Sequence, residues 1–191
     1  MPDIIEDLPA ILLNAAEVEL RQAGFYPRPQ VHMFAEDMES PYIGYIVCRP
    51  FYRGDDAVTA IANLGLLPSV MAVTRLLVLW EDRDLRTALE MPGSASADTG
   101  IALLDAQLDG HTLRWHPFEA ESIGVAQHGP YQVQTINPRW RKPTQFKNVQ
   151  LLRPISNLLG IWRERRQDDM QQTAIGLQDA GYELNWVSHH G

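Results

Sequence analysis

A chain of 191 residues with 45% hydrophobic and 21% charged residues has the make-up of a folded domain and not of a disordered segment, and at this length one core can bury on the order of 70% of the unfolded surface. Its formal charge of −8 excludes whole-surface attraction to nucleic acid or anionic lipid, because the averaged field repels both. The lone Cys48 excludes an internal disulfide and any multi-cysteine metal site.

The chain opens on Met1-Pro2-Asp3-Ile4-Ile5-Glu6-Asp7, acidic where a secretory leader would be basic, and it contains no apolar run long enough to span a membrane. These features point to a cytoplasmic protein. Its 14 arginines against 2 lysines match the codon bias of a GC-rich bacterial genome. Asp7 caps a predicted helix over 8–23, in which Leu8, Ile11, Leu12, Ala15, Ala16, Leu20 and Ala23 form one apolar stripe and Gly24 is the stop. Residues 30–35 and 42–51 then read as a hairpin around the acidic loop 36–41. Asp55 or Asp56 starts a helix over 56–73 that Gly65 and Pro68 must break or kink.

Arg75-Leu76-Leu77-Val78-Leu79-Trp80 is apolar without alternation, so it is expected to be a strand covered on both faces. It runs directly into Glu81-Asp82-Arg83-Asp84, which should hand carboxylates to solvent where an open sheet often places its chemistry. Residues 84–90 suit one or two helical turns, and the small, polar stretch 91–100 suits a flexible surface loop.

Asp109-Gly110 between two strand-like runs predicts a two-residue hairpin turn within 101–118. That register sets Asp105 against Arg114, Gln107 against Thr112, and Leu104 against Trp115. Gly124, Gly129, Pro130, Pro138 and Pro143 make 122–153 an irregular segment with one short strand over 131–136. A helical stretch follows over 155–180, which Gly160 or Asp168-Asp169 can divide, and then an alternating edge strand through Tyr182, Leu184 and Trp186. The whole predicts a single α+β domain over 1–191, with a central mixed, largely antiparallel sheet and helices packed on it.

No glycine-rich phosphate loop, nucleophile elbow or zinc helix motif is present. Glu81, Asp82 and Asp84 could join Asp105 around a divalent metal, as a phosphoesterase or nuclease would need, but consecutive strand residues point to opposite faces. Asp105, Arg114 and His116 could tune a general base, yet no Ser or Cys accompanies them, and an ion pair setting the register is simpler. Cys48 reads as a buried thiol. His189 and His190 lack the spacing of a metal pair and receive no role. The sequence thus assigns no catalytic residue, no metal and no cofactor.

One asymmetry remains. Between Ser122 and Trp162 there is no Asp or Glu, although the chain has 24 elsewhere, and the same window holds both lysines. Arg139, Trp140, Arg141, Lys142 and Lys147 combine cations with an aromatic anchor, a mixture suited to an anionic partner. The expected function is a non-catalytic binding or assembly module that docks an acidic protein surface or another copy of itself. The metal-dependent phosphoesterase or nuclease is the alternative.

Overall fold

The structure is a computed structural model that describes residues 4–187, so the His189-His190 pair lies outside the described residues. Helix α1 (Ile4–Gln22) begins a few residues before Asp7, because Ile4 and Ile5 extend its apolar stripe onto the core; it ends, as predicted, just before Gly24 at φ 75°. Strands β1 (Gln30–Phe34) and β2 (Tyr42–Val47) form the expected hairpin. The predicted helix at 56–73 is broken as its Gly and Pro require, into α2 (Asp55–Ala62), one 3-10 turn and α3 (Leu66–Val70). Gly65 is needed there for close approach: a Cβ on it would lie 2.4 Å from the carbonyl oxygen of Leu158.

Strand β3 (Arg75–Glu81) is covered on both faces as its composition predicts, and α4 (Asp82–Ala88) follows without a break. The 91–100 stretch carries a 3-10 turn over Ser94–Ser96, held by the Arg83 guanidinium on Ala95 O at 2.7 Å. Next come β4 (Gly100–Gln107) and the 18-residue β5 (His111–His128), then β6 (Tyr131–Trp140) and β7 (Thr144–Lys147). The last helical stretch is two helices, α5 (Arg153–Arg163) and α6 (Met170–Asp179), followed by the edge strand β8 (Glu183–Trp186). Asp169 caps α6 through a 2.7 Å bond from Gln172 N, which explains the division.

The strands form one curled sheet in the order β6-β5-β4-β3-β1-β2-β8, with β7 beside the first half of β5. This is the predicted α+β architecture, but every pairing among the described residues is antiparallel, so the sheet is not mixed. Alternation along β3 and β4 divides the core. Leu76, Val78, Trp80, Ala102 and Leu104 face α2, α3, α5 and α6, whereas Leu77, Leu79, Ile101 and Leu103 face α1. No helix among the described residues is long and apolar enough to cross a membrane.

Two readings of the middle of the chain need correction. The 122–153 segment is largely regular: β5 extends to His128, and Gly129 at φ 57° with Pro130 makes a two-residue turn into β6. Pro138 is tolerated because β6 is the edge strand, and Gly124 follows the bulge at Ile123.

The Asp109-Gly110 turn is also wider than predicted. Ala106 pairs with His111, Gln107 N bonds Gly110 O at 2.9 Å, and Gly110 lacks a positive φ. Arg163 on α5 donates to the carbonyls of Gln107 and Gly110, and Asn148 accepts from His111 N, so neighbouring elements shape the loop. Each cross-strand partner consequently moves by two residues. Asp105 faces Thr112, and Arg114 faces Leu103.

Candidate functional site

The long β5–β6 ribbon curls over α1, since Trp140 Nε1 donates to Glu17 at 2.8 Å, Arg21 donates to Asn137 and His128 Nε2 donates to the Ala23 carbonyl. Its turn from β6 into β7 carries the residues singled out as a docking surface. Arg139 and Trp140 end β6, Arg141 and Lys142 lie in the link, and Lys147 ends β7; all five are exposed.

The acid-free window is acid-free only along the chain. Glu119 on β5 lies opposite Arg139 and pairs with Arg141, holding its own carboxyl below the usual range through that bond. Glu119 and Glu121 sit just upstream of the window, so a linear count could not see that strand pairing brings them beside it. Lys142 and Lys147 differ: among the described residues their side chains make no hydrogen bond or ion pair. Trp140 packs edge-on against Phe118 with 36% of its surface exposed, and Phe146 on β7 is 45% exposed. The structure therefore separates the four cations into Arg141, neutralised by Glu119, and Arg139, Lys142 and Lys147, whose side chains make no ion pair among the described residues.

The carboxylates at the end of β3 do not gather. Glu81 is 3% exposed, and its two oxygens accept from the backbone N–H groups of Arg83, Asp84 and Gly100. The expectation that it reaches solvent fails because the start of α4 and the start of β4 converge on it with unpaired donors. Burial nevertheless raises its pKa to about 7. Asp82 points the other way, accepting from Trp80 Nε1 and pairing with Arg86, as strand alternation requires. Asp105 is held by Arg75 through two bonds of 2.8 and 2.7 Å. Among the described residues no group of three His, Cys, Asp or Glu side chains is placed to hold a metal ion.

The α1-facing side of the sheet also carries polar groups that sequence reasoning placed with the wrong partners or missed. Arg75, read only as the start of a strand, is the partner of Asp105 and also reaches Glu36 at 3.0 Å. Asp105 therefore orients neither Arg114 nor His116. Arg114 Nε and His116 Nε2 are instead shielded from solvent without a hydrogen-bond partner. Arg114 forms one wall of a cleft under the start of α1. Nearby, His32 is almost fully buried, stacked on Tyr45 at 5.0 Å and bonded to both Tyr42 and Gln30. Burial lowers its pKa to about 4, keeping the ring neutral, and raises that of Tyr42, so the phenol stays a donor. Cys48 is buried as expected, and burial lifts its thiol to about 12, which leaves it without nucleophilic character. No protein-family model, curated protein or solved structure matches this chain.

Proposed function

We propose that the chain is a non-catalytic binding or assembly module that docks an acidic protein surface through the β6–β7 edge, and that a second copy of the chain can provide that surface. The observation that supports this reading is that Lys142 and Lys147, on the edge that also exposes Trp140 and Phe146, make no side-chain ion pair among the described residues, in a chain of net charge −8. A cation without an internal partner is stabilised by an external carboxylate, while a partly exposed aromatic gains by losing water. Lysines on an open edge also oppose strand-to-strand addition, so the contact envisaged is made by side chains and not by extending the sheet.

The variant Lys142→Glu with Lys147→Glu tests this while leaving the Arg141–Glu119 pair intact. Molar mass by light scattering and binding of a labelled oligo-glutamate peptide are measured in low salt and again at about 1 M, where the screening length falls to roughly 3 Å. Parent protein that assembles or binds the peptide only in low salt, with both lost in the variant, supports docking. Parent and variant with the same mass and no peptide binding in low salt overturn it.

A further inference from the structure

The cleft between the start of α1 and the sheet encloses about 350 Å³, a size that takes small molecules. Its lining is divided by chemistry. Ile5, Pro9, Phe34 and Leu77 give it an apolar side; Arg75, Asp105 and Arg114, with Glu6 of α1, give it a charged one.

The charged groups are not equivalent. Arg75 is committed to Asp105 and Glu36 by three hydrogen bonds. Arg114 makes no ion pair among the described residues, and its Nε has no acceptor although it is hidden from solvent. Buried donors in folded proteins are nearly always matched, and a guanidinium presents a planar fork that fits a carboxylate. A bare carboxylate, however, would approach Arg114 past Glu6, whose charge opposes it, while that of Asp105 is already offset by Arg75. A ligand carrying a cation beside its carboxylate meets no such opposition, because exposed Glu6, unpaired among the described residues, can face that cation.

From these positions we infer that the cleft binds an amino-acid-type zwitterion with an apolar side chain. Its carboxylate is held by Arg114, its ammonium group faces Glu6, and its side chain lies against Phe34 and Leu77. This site is separate from the β6–β7 edge, so the fate of either proposal leaves the other standing.

The test uses the full chain with L-leucine as probe, alongside 4-methylpentanoate, which lacks the ammonium group, and isopentylamine, which lacks the carboxylate. Leucine is expected to raise the melting temperature, as a ligand of the folded state must, and to bind more tightly than either analogue by calorimetry. Arg114→Gln should weaken leucine about tenfold or more, the scale of a lost charge-assisted hydrogen bond. Glu6→Gln, an exposed change that keeps the fold even where Arg114→Gln does not, should erase leucine's advantage over 4-methylpentanoate. No melting shift with leucine or phenylalanine up to about 50 mM overturns the inference. So does equal binding of leucine by parent and Arg114→Gln, or of leucine and 4-methylpentanoate by the parent.

Discussion

The two faces of one sheet are built on different terms. Toward α2, α3, α5 and α6 the strands present Val31, Met33, Ile46, Leu76, Val78, Trp80 and Leu104, and two buried polar groups there, the indole N–H of Trp162 and the hydroxyl of Tyr182, each donate to a backbone carbonyl. Toward α1, Leu77, Leu79, Ile101 and Leu103 are interrupted by His32, Glu81 and the Arg75–Asp105 pair. Apolar burial is non-directional, so the first face needs only shape and volume. Each polar group on the second needs a partner in a particular place, because an unmatched one costs about 1–3 kcal/mol. The lesson is that stability is concentrated on the first face, whereas sensitivity to pH and to single polar changes is concentrated on the second.

Trp162 is fully buried against the helix-side face. Trp162→Ala should cost about 4 kcal/mol in urea unfolding through the cavity it leaves. A loss below about 1 kcal/mol would mean that this face is loosely packed and that the contrast between the two is false.

The next effect is a pH dependence confined to the α1 side. His32 has a folded pKa of about 4 against an ordinary value of 6.5, so the unfolded chain binds the extra proton; its contribution is present above pH 6.5 and is lost as pH falls toward 4. Glu81 runs opposite, from an ordinary 4.5 up to about 7 in the fold; there the folded chain binds the extra proton, so stability rises as pH falls from 7 toward 4.5. Each is worth up to about 3 kcal/mol, and in the parent they largely cancel. Glu81→Gln should therefore lose stability between about pH 7 and pH 5, and His32→Gln should gain it, each relative to the parent. Unfolding midpoints at several pH values check this, and parallel curves for all three proteins would remove both assignments.

A smaller effect is expected at Asp105. Its removal leaves Arg75 partly buried with Glu36 as the remaining acceptor, so Asp105→Ala should destabilise by about 2 kcal/mol, short of the cost of a fully buried unpaired charge. A change within error would class the pair with exposed ion pairs that contribute almost nothing. The smallest effect belongs to Gly110. Because its φ is not positive, and an added Cβ would meet only the end of the Asn148 side chain at 3.0 Å, Gly110→Ala should cost about 1 kcal/mol or less. A larger loss would restore the tight turn that the local sequence suggests.

Much of this architecture follows from local chemistry. The stop at Gly24, the break at Gly65 and Pro68, the strand at 75–81 and the β1–β2 hairpin are each dictated by a few neighbouring residues, through allowed dihedrals and hydrophobic period. Which residues of the 101–118 hairpin share a face was also legible, although the register was misplaced. Side-chain direction repeats every two residues, and the error was two, so faces survived while partners did not.

What needed the tertiary structure is which distant groups meet. The turn at 107–110 is decided by Arg163 and Asn148, far along the chain, and Asp105 finds Arg75 on a neighbouring strand. The regularity of 122–147 was hidden because glycine and proline break isolated strands, yet a bulge, a tight turn and a free edge accommodate them once β5 supplies the ladder. The candidate interface was located by composition alone, but its division into neutralised Arg141 and unpaired Lys142 and Lys147 depends on Glu119 across the ribbon. The cleft at Arg114 left no linear trace, because its lining comes from α1 and four strands that only the fold of the sheet brings together. Local sequence determines backbone conformation through short-range sterics, whereas charge pairing depends on separation in space, which strand order sets.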